Sequence, residues 1–418
     1  MILYNLNKHY KADLAAQKKH TKFLSTEKIN AVAGFYEQCP AYKPTPLLSL
    51  PNLAEIIGIK NIYVKDESAR LGLDSFKALG GFYAIARLLA EQLDLDYLEA
   101  GFAYLSSDKA KKNLGQITFT TATDGNHGKG VAMAATTFGH RSVVYLPRGS
   151  KKRRVKAVEE VGGTAYVTDW NYDDTVEFVF EEAKRKGYIV VQDTAMEGYY
   201  KTPAWIMQGY ALMVKEIIDD IEQVQSNRRL KSPLYPTHVI LQAGVGSMPA
   251  AVTGHFLERL EERSPQVIIV EPENAACFFK SALGSGVPQK VGGSLETIMA
   301  GLACGEPSPV GWEIIKTCAK HFLSLPDWVA ARGVRALKHP LPGDPAVASG
   351  ESGSVGTGLL SLFNLDALSG LKEILALDED SAALVINTEG VTDPDLNREI
   401  LWDGKYPTPD KISWETKH

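Results

Sequence analysis

From about residue 117 the chain alternates short β-branched and aromatic runs with longer stretches whose apolar positions recur at helical spacing. The runs at 117–121, 142–146, 164–168 and 188–192 read as strands, and the stretches at 128–137, 151–160 and 173–186 as helices. Such alternation is the pattern of a parallel, doubly wound sheet. A second series begins near Thr237, with a strand at 238–241, a glycine-rich turn, a helix at 250–263 and a strand at 266–270. Helices are expected at 275–283, 312–322 and 328–337, a Gly/Ser-rich turn at 350–358 and a final strand at 382–387. Ahead of both series, residues 1–60 read as an arm and a first helix, and Pro40, Pro44, Pro46 and Pro51 keep residues 42–48 extended. A strand at 61–65 and an apolar-periodic run at 78–89 bracket Lys77.

A chain of 418 residues is long for one core. The expected fold class is α/β, with two doubly wound parallel-sheet domains. The small domain is taken as residues 88–191 and the large one as 1–87 with 192–418, because the small series is complete without the strand before Lys77. Composition adds little: 44% hydrophobic, 23% charged and a net charge of −5 describe an ordinary globular protein, with no nucleic-acid or membrane partner indicated. The basic run Lys151-Lys152-Arg153-Arg154 continues into Val155, Ala157 and Val158, the pattern of an amphipathic helix rather than of a phosphate-backbone patch. No run reaches the ~18 apolar residues of a membrane span, and the first residues lack a signal-peptide core, so a cytoplasmic location is expected. The four cysteines show no CxxC spacing and no histidine partner, so no metal site is expected. Buried free thiols are the default, and a Cys277–Cys304 bridge stays open.

Four stretches can carry chemistry. Asp74-Ser75-Phe76-Lys77-Ala78-Leu79-Gly80-Gly81 puts one lysine between an aromatic ring and the start of a helix, with Asp74 or Ser75 as its N-cap. There the positive end of the helix dipole favours the neutral amine, the form that condenses with an aldehyde. On this octapeptide alone a solvated first-turn lysine is an equal reading. In Gly244-Val245-Gly246-Ser247-Met248 a strand gives way to a helix through glycines, with Pro249 suited to N1, which makes an anion site for a phosphate. The same geometry serves NAD-binding folds, where Glu271 would mimic the ribose-binding acid, but Pro249 occupies the place of the third glycine. The loop Thr121-Ala122-Thr123-Asp124-Gly125-Asn126-His127-Gly128 also ends a strand. Asn126 can donate an amide hydrogen to a phenolate-like oxygen, and Asp124 can act as a base or merely stabilise a turn. His127 reads as a packing residue. Thr388, after the last strand, offers a hydroxyl suited to a neutral pyridine nitrogen, or a helix cap.

Together these residues resemble the fold-type II pyridoxal-phosphate enzymes, the group of threonine and serine dehydratases and the tryptophan synthase β subunit. The likeness runs through Ser75-Phe76-Lys77, Gly125-Asn126-His127-Gly128, the turn from Gly244 to Met248, Glu271-Pro272 and Thr388, in order along nearly the whole chain. Within that group the phrases around Asp74, Asp124, Gln242, Ile298 and Thr388-Glu389-Gly390 are most similar to the diaminopropionate ammonia-lyases, whereas ordinary dehydratases carry a small residue in place of Asp124 and an almost all-glycine turn. The resemblance implies pyridoxal 5'-phosphate carried covalently on Lys77 beside Phe76. It implies the phosphate on Gly244, Val245, Gly246, Ser247 and Met248, the ring oxygen on Asn126 and the ring nitrogen on Thr388. Lys77 and Asp124 become bases on opposite faces of a small amino-acid substrate, for the L and D isomers respectively, and Lys77 as ammonium a candidate acid for the leaving group. Ser75 and Asp193 are placed as substrate-binding residues, Asp193 at the distal ammonium, although a cap for the next segment explains Asp193 equally well. The implied reaction is α,β-elimination from 2,3-diaminopropionate to pyruvate and two ammonia, with serine or threonine dehydration as the alternative. A homodimer is implied too.

Overall fold

The computed structural model describes residues 1–96, 100–123, 125–228 and 234–417. In chain order its strands are β1 (Ile2–Leu6), β2 (Leu47–Ser49), β3 (Asn61–Asp66), β4 (Thr118–Ala122), β5 (Arg141–Leu146), β6 (Thr164–Val167), β7 (Ile189–Val190), β8 (His238–Gln242), β9 (Gln266–Pro272), β10 (Ala319–Leu325), β11 (Ala382–Asn387) and β12 (Trp414–Thr416). They form an eight-stranded sheet in the order β12-β1-β10-β9-β8-β11-β3-β2 and a four-stranded sheet in the order β6-β5-β4-β7. The small sheet is parallel throughout. In the large one β10, β9, β8, β11 and β3 run parallel, but β1 pairs antiparallel with β10 and β2 antiparallel with β3, so the expected parallel sheet is a mixed one.

The central strands are apolar on both faces because helices cover both. Successive side chains divide between two cores by the twofold strand period: Val239, Leu241, Val267, Ile269, Leu384 and Ile386 face one, and Ile240, Ile268, Val270, Ala383 and Val385 the other. The first core continues through the helix Lys77–Gln92 to Val131, Ala134 and Phe138 beside the small sheet, so one helix joins the two halves. The expected domain boundary at 87/88 falls within that helix.

Three segments differ from expectation. Residues 312–322, read as one helix, divide into the helix Pro309–Cys318 and strand β10, buried at every position but Lys320, a pattern that periodicity alone cannot distinguish from helix. The anticipated turn at 350–358 is the helix Glu351–Leu360. Its glycines serve close packing: a Cβ on Gly358 would meet Val329 O at 2.0 Å, and one on Gly333 of the helix Asp327–Lys338 would meet Ser354 O at 2.0 Å. The N-terminal arm begins with β1, where Ile2 and Tyr4 are buried, and β12 follows the strand expected to be last. The long helix Lys201–Arg228 also went unforeseen.

Parallel pairing sets β8, β11 and β3 side by side with their carboxyl ends at one edge, and sets β4 beside β7. The loops that follow these five strands carry the chemistry.

Candidate active site

Lys77 begins its helix with Phe76 as N-cap, and the Ser75 hydroxyl accepts a hydrogen bond from the Lys77 amide at 3.3 Å. The cap is thus neither Asp74 nor Ser75. The preceding loop is clipped to the segment after β11: Phe76 N donates to Thr388 O at 3.1 Å and Gly390 N to Asp74 O at 2.9 Å. Further back the loop is anchored by a buried ionic cluster. Arg70 Nε donates to Glu67 at 2.7 Å and its Nη2 to Glu216 at 2.7 Å, while Lys65 Nζ lies 2.7 Å from Glu216. Burial opposes the Glu216 carboxylate, but Arg70 and Lys65 outweigh it and hold the group below the usual range. Each charge in the cluster has an opposite partner, as burial requires.

The Lys77 ammonium meets Asp193 Oδ2 at 2.9 Å, in the loop after β7. Burial alone would raise the Asp193 carboxyl; the Lys77 ammonium and His127 reverse this and bring it down to about 2. The backbone carbonyl of Asp193 accepts from the Ser247 hydroxyl at 2.5 Å. One residue therefore ties the lysine to the first residue of the helix Ser247–Leu260. That helix has Gly246 as its N-cap, which leaves the first-turn amides without a capping side chain. Gly246 has φ +92° and a Cβ there would lie 2.1 Å from the Phe278 ring, so glycine is required on both counts. The result is a backbone nest with the positive end of a helix dipole behind it.

On the other side, Thr123 Oγ1 accepts from Gly125 N at 2.9 Å and from Gly128 N at 3.2 Å, which shapes the loop that opens the helix Asn126–Thr137. Asn126 Nδ2 donates to Glu389 Oε2 at 2.6 Å. His127 is buried with Nε2 2.7 Å from Val191 O, the packing role expected of it. Thr388 Oγ1 accepts from Gln242 Nε2 at 3.1 Å, so its own hydrogen can point at a ring nitrogen. Phe76 lies edge-on to Tyr210 with ring centroids 4.7 Å apart.

One cavity is lined by Ser75, Phe76, Lys77, Asn126, Asp193, Gly244, Val245, Gly246, Ser247, Met248 and Thr388, so eleven residues singled out in the sequence meet at one place. Asp124 lies outside the described residues. Sequence reasoning missed Tyr210 and Ser352 as lining residues and saw Gln242, Gly301, Leu302 and Glu389 only as parts of phrases. Gln242 was the findable one, since it ends β8 directly before the glycine turn.

Glu271 does not serve a ribose. Its carboxylate accepts from the amides of Phe278 at 2.8 Å and Phe279 at 2.6 Å, and burial pushes it up to about 8. None of the cysteines forms a disulfide, and Cys277 Sγ lies 3.9 Å from Gly244 O. Among the described residues no group of three or more His, Cys, Asp or Glu side chains is placed to hold a metal ion, and no helix is long and apolar enough to cross a membrane. The donor set fits a pyridine aldehyde phosphate: an amine at Lys77, an amide nest for the phosphate and a hydroxyl at Thr388.

The comparisons with known proteins agree with that fit. A family model described as pyridoxal-phosphate dependent enzyme matches residues 39–349. The chain is 44% identical over 401 residues to the diaminopropionate ammonia-lyase of Escherichia coli strain K12, covering 95% of this chain and 98% of that protein. The crystal structure of the Escherichia coli enzyme in complex with D-serine superposes with a TM-score of 0.89 at 43% identity, covering 97% and 98% of the two chains. The same enzyme in complex with an aminoacrylate–PLP azomethine reaction intermediate gives 0.86 at 42% identity, with the same coverage. By its matched model and by identity over nearly its full length, this chain belongs to the diaminopropionate ammonia-lyase family of pyridoxal-phosphate dependent enzymes.

Proposed function

We propose that the chain converts D- and L-2,3-diaminopropionate and water to pyruvate and two ammonia, with pyridoxal 5'-phosphate bound at Lys77. The observation that carries this reading is the convergence, in one cavity, of the Lys77 amine, an amide nest and the Thr388 hydroxyl. When bound, the cofactor supplies an electron sink for the carbanion formed at Cα. The backbone from Gly244 to Met248 holds its phosphate, Thr388 faces its ring nitrogen and Asn126 its ring oxygen. Lys77 takes the α proton from the L isomer, and Asp124 takes it from the opposite face for the D isomer. Asp193 holds the Lys77 amine toward the cavity, 2.9 Å away, and balances its charge while it carries a proton. Lys77 as ammonium then returns a proton to the departing β-amino group. Loss of that group leaves 2-aminoacrylate, which hydrolyses to pyruvate and the second ammonia.

In this reading residues 1–87 and 192–418 form the large domain and 88–191 the small one, with Lys77–Gln92 as the shared helix. The protein works as a cytoplasmic homodimer, which light scattering and cell fractionation check.

A second reading, serine or threonine dehydration, draws on the D-serine complex of the Escherichia coli enzyme. Pyruvate and 2-oxobutyrate release from each amino acid separates the two. Turnover of serine or threonine without any of diaminopropionate would reject the lyase.

A further inference from the structure

Ser352 stands in the first turn of the helix Glu351–Leu360 and lines the same cavity as Lys77 and Thr388. It is 3% exposed, and its Oγ finds no hydrogen-bond partner among the described residues. The start of this helix is pressed against the end of β11: a Cβ on the next residue, Gly353, would lie 2.4 Å from Asn387 Oδ1 and 3.0 Å from Thr388 N. Ser352 therefore stands at the Thr388 end of the cavity. Gln242, also at that end, has both Nε2 hydrogens in use, one on Ile386 O at 2.9 Å and one on Thr388 Oγ1 at 3.1 Å. Ser352 has its hydrogen to give. Buried hydroxyls are nearly always hydrogen-bonded, and one without a partner lowers stability in a way that alanine at the same place would not. An acceptor brought to that end of the cavity supplies the missing bond.

We propose that Ser352 is a second hydroxyl donor to the ring nitrogen of pyridoxal 5'-phosphate, sharing that atom's lone pair with Thr388. This rests on the reading above that sets Thr388 at the ring nitrogen. Thr388 comes from the loop after β11 and Ser352 from a helix packed on that loop, so two separate elements fix the edge of the ring. A hydroxyl donates to an unprotonated nitrogen, whereas a carboxylate in its place would favour the protonated one.

The test uses the full-length chain, as wild type and as Ser352→Ala, freed of cofactor and titrated with pyridoxal 5'-phosphate or with its deaza analogue, in which C–H replaces the ring nitrogen. Apparent dissociation constants are read from tryptophan fluorescence. Wild type should bind the analogue about 10- to 100-fold more weakly, because both hydroxyls lose their acceptor. Ser352→Ala should bind pyridoxal 5'-phosphate about 5- to 10-fold more weakly than wild type does, and the analogue equally well or better. Equal weakening for both compounds, or undiminished affinity for pyridoxal 5'-phosphate, overturns the contact while leaving Thr388 at the nitrogen. A wild type that binds the two compounds equally overturns both placements. Urea unfolding of the cofactor-free proteins separates a binding role from a structural one. The variant should unfold at the wild-type midpoint or above it, since the hydroxyl removed has no bond to lose. A lower midpoint, or a variant that does not fold, assigns the hydroxyl to the fold and overturns the proposal.

Discussion

Removing the Lys77 amine takes the ionic partner from Asp193, an almost wholly buried carboxylate then left with His127 nearby and Gln192 Nε2 at 3.4 Å. With the lysine present, the drop of the Asp193 carboxyl from 3.8 to about 2 corresponds to roughly 2–3 kcal/mol in favour of the folded, charged form. Because the folded value lies below the unfolded one, that stability is present above the unfolded value and is lost as pH falls toward the folded one. In Lys77→Ala the largest remaining influence on Asp193 is burial, which acts in the opposite direction. The carboxylate then destabilises the fold at neutral pH, and the penalty fades as acid protonates it. Urea unfolding of the cofactor-free proteins should show Lys77→Ala less stable than wild type by about 3–5 kcal/mol near neutrality. The gap should narrow as pH is lowered to about 4. Adding Asp193→Asn to Lys77→Ala should restore about 1–3 kcal/mol near neutrality and little in acid. A gap that stays constant with pH, or a double variant no more stable than Lys77→Ala at neutrality, would refute the pairing argument.

Gly246→Ala forces a side chain into φ +92° and to within 2.1 Å of the Phe278 ring, a disturbance of about 2–4 kcal/mol. Cofactor titration should show markedly weaker binding, and undiminished affinity would contradict the nest. Thr388→Val keeps the shape but removes the hydroxyl that Gln242 Nε2 meets at 3.1 Å, and Gln242 retains Ile386 O at 2.9 Å. Turnover should fall about 10- to 100-fold with the visible cofactor band still formed; wild-type turnover would remove Thr388 from the site. Asp124→Asn should lose far more activity on D- than on L-diaminopropionate, measured as pyruvate release, and equal losses would show that Asp124 is not a stereospecific base.

The residues legible in the sequence share a local signature. Lys77, the turn from Gly244, Asn126 and Thr388 each follow a recognisable strand and sit among glycines or helix-opening residues, so short-range chemistry marks them. The Lys77–Asp193 pair has no such mark. It depends on β4 lying beside β7 and on the small sheet facing the large one across 116 positions of sequence. Short-range chemistry reads Asp193 as a substrate contact or a cap; the structure keeps it on the cavity wall and adds a contact to Lys77 that no local pattern announces. Ser352 was hidden for a different reason: the glycines around it read as a turn, although they are there to let Gly358 and Gly333 bring two helices into contact. Strand β10 was lost because a strand buried at all but one position and a buried helix share one composition.

The account's central claim is tested most directly by purifying the protein with pyridoxal 5'-phosphate and measuring pyruvate and ammonia after adding D- or L-2,3-diaminopropionate, with Lys77→Ala in parallel. The account predicts two ammonia for each pyruvate from both isomers, and neither product nor the lysine-bound visible band in the variant. No pyruvate from either isomer, or a Lys77→Ala protein with the wild-type spectrum and activity, would contradict it.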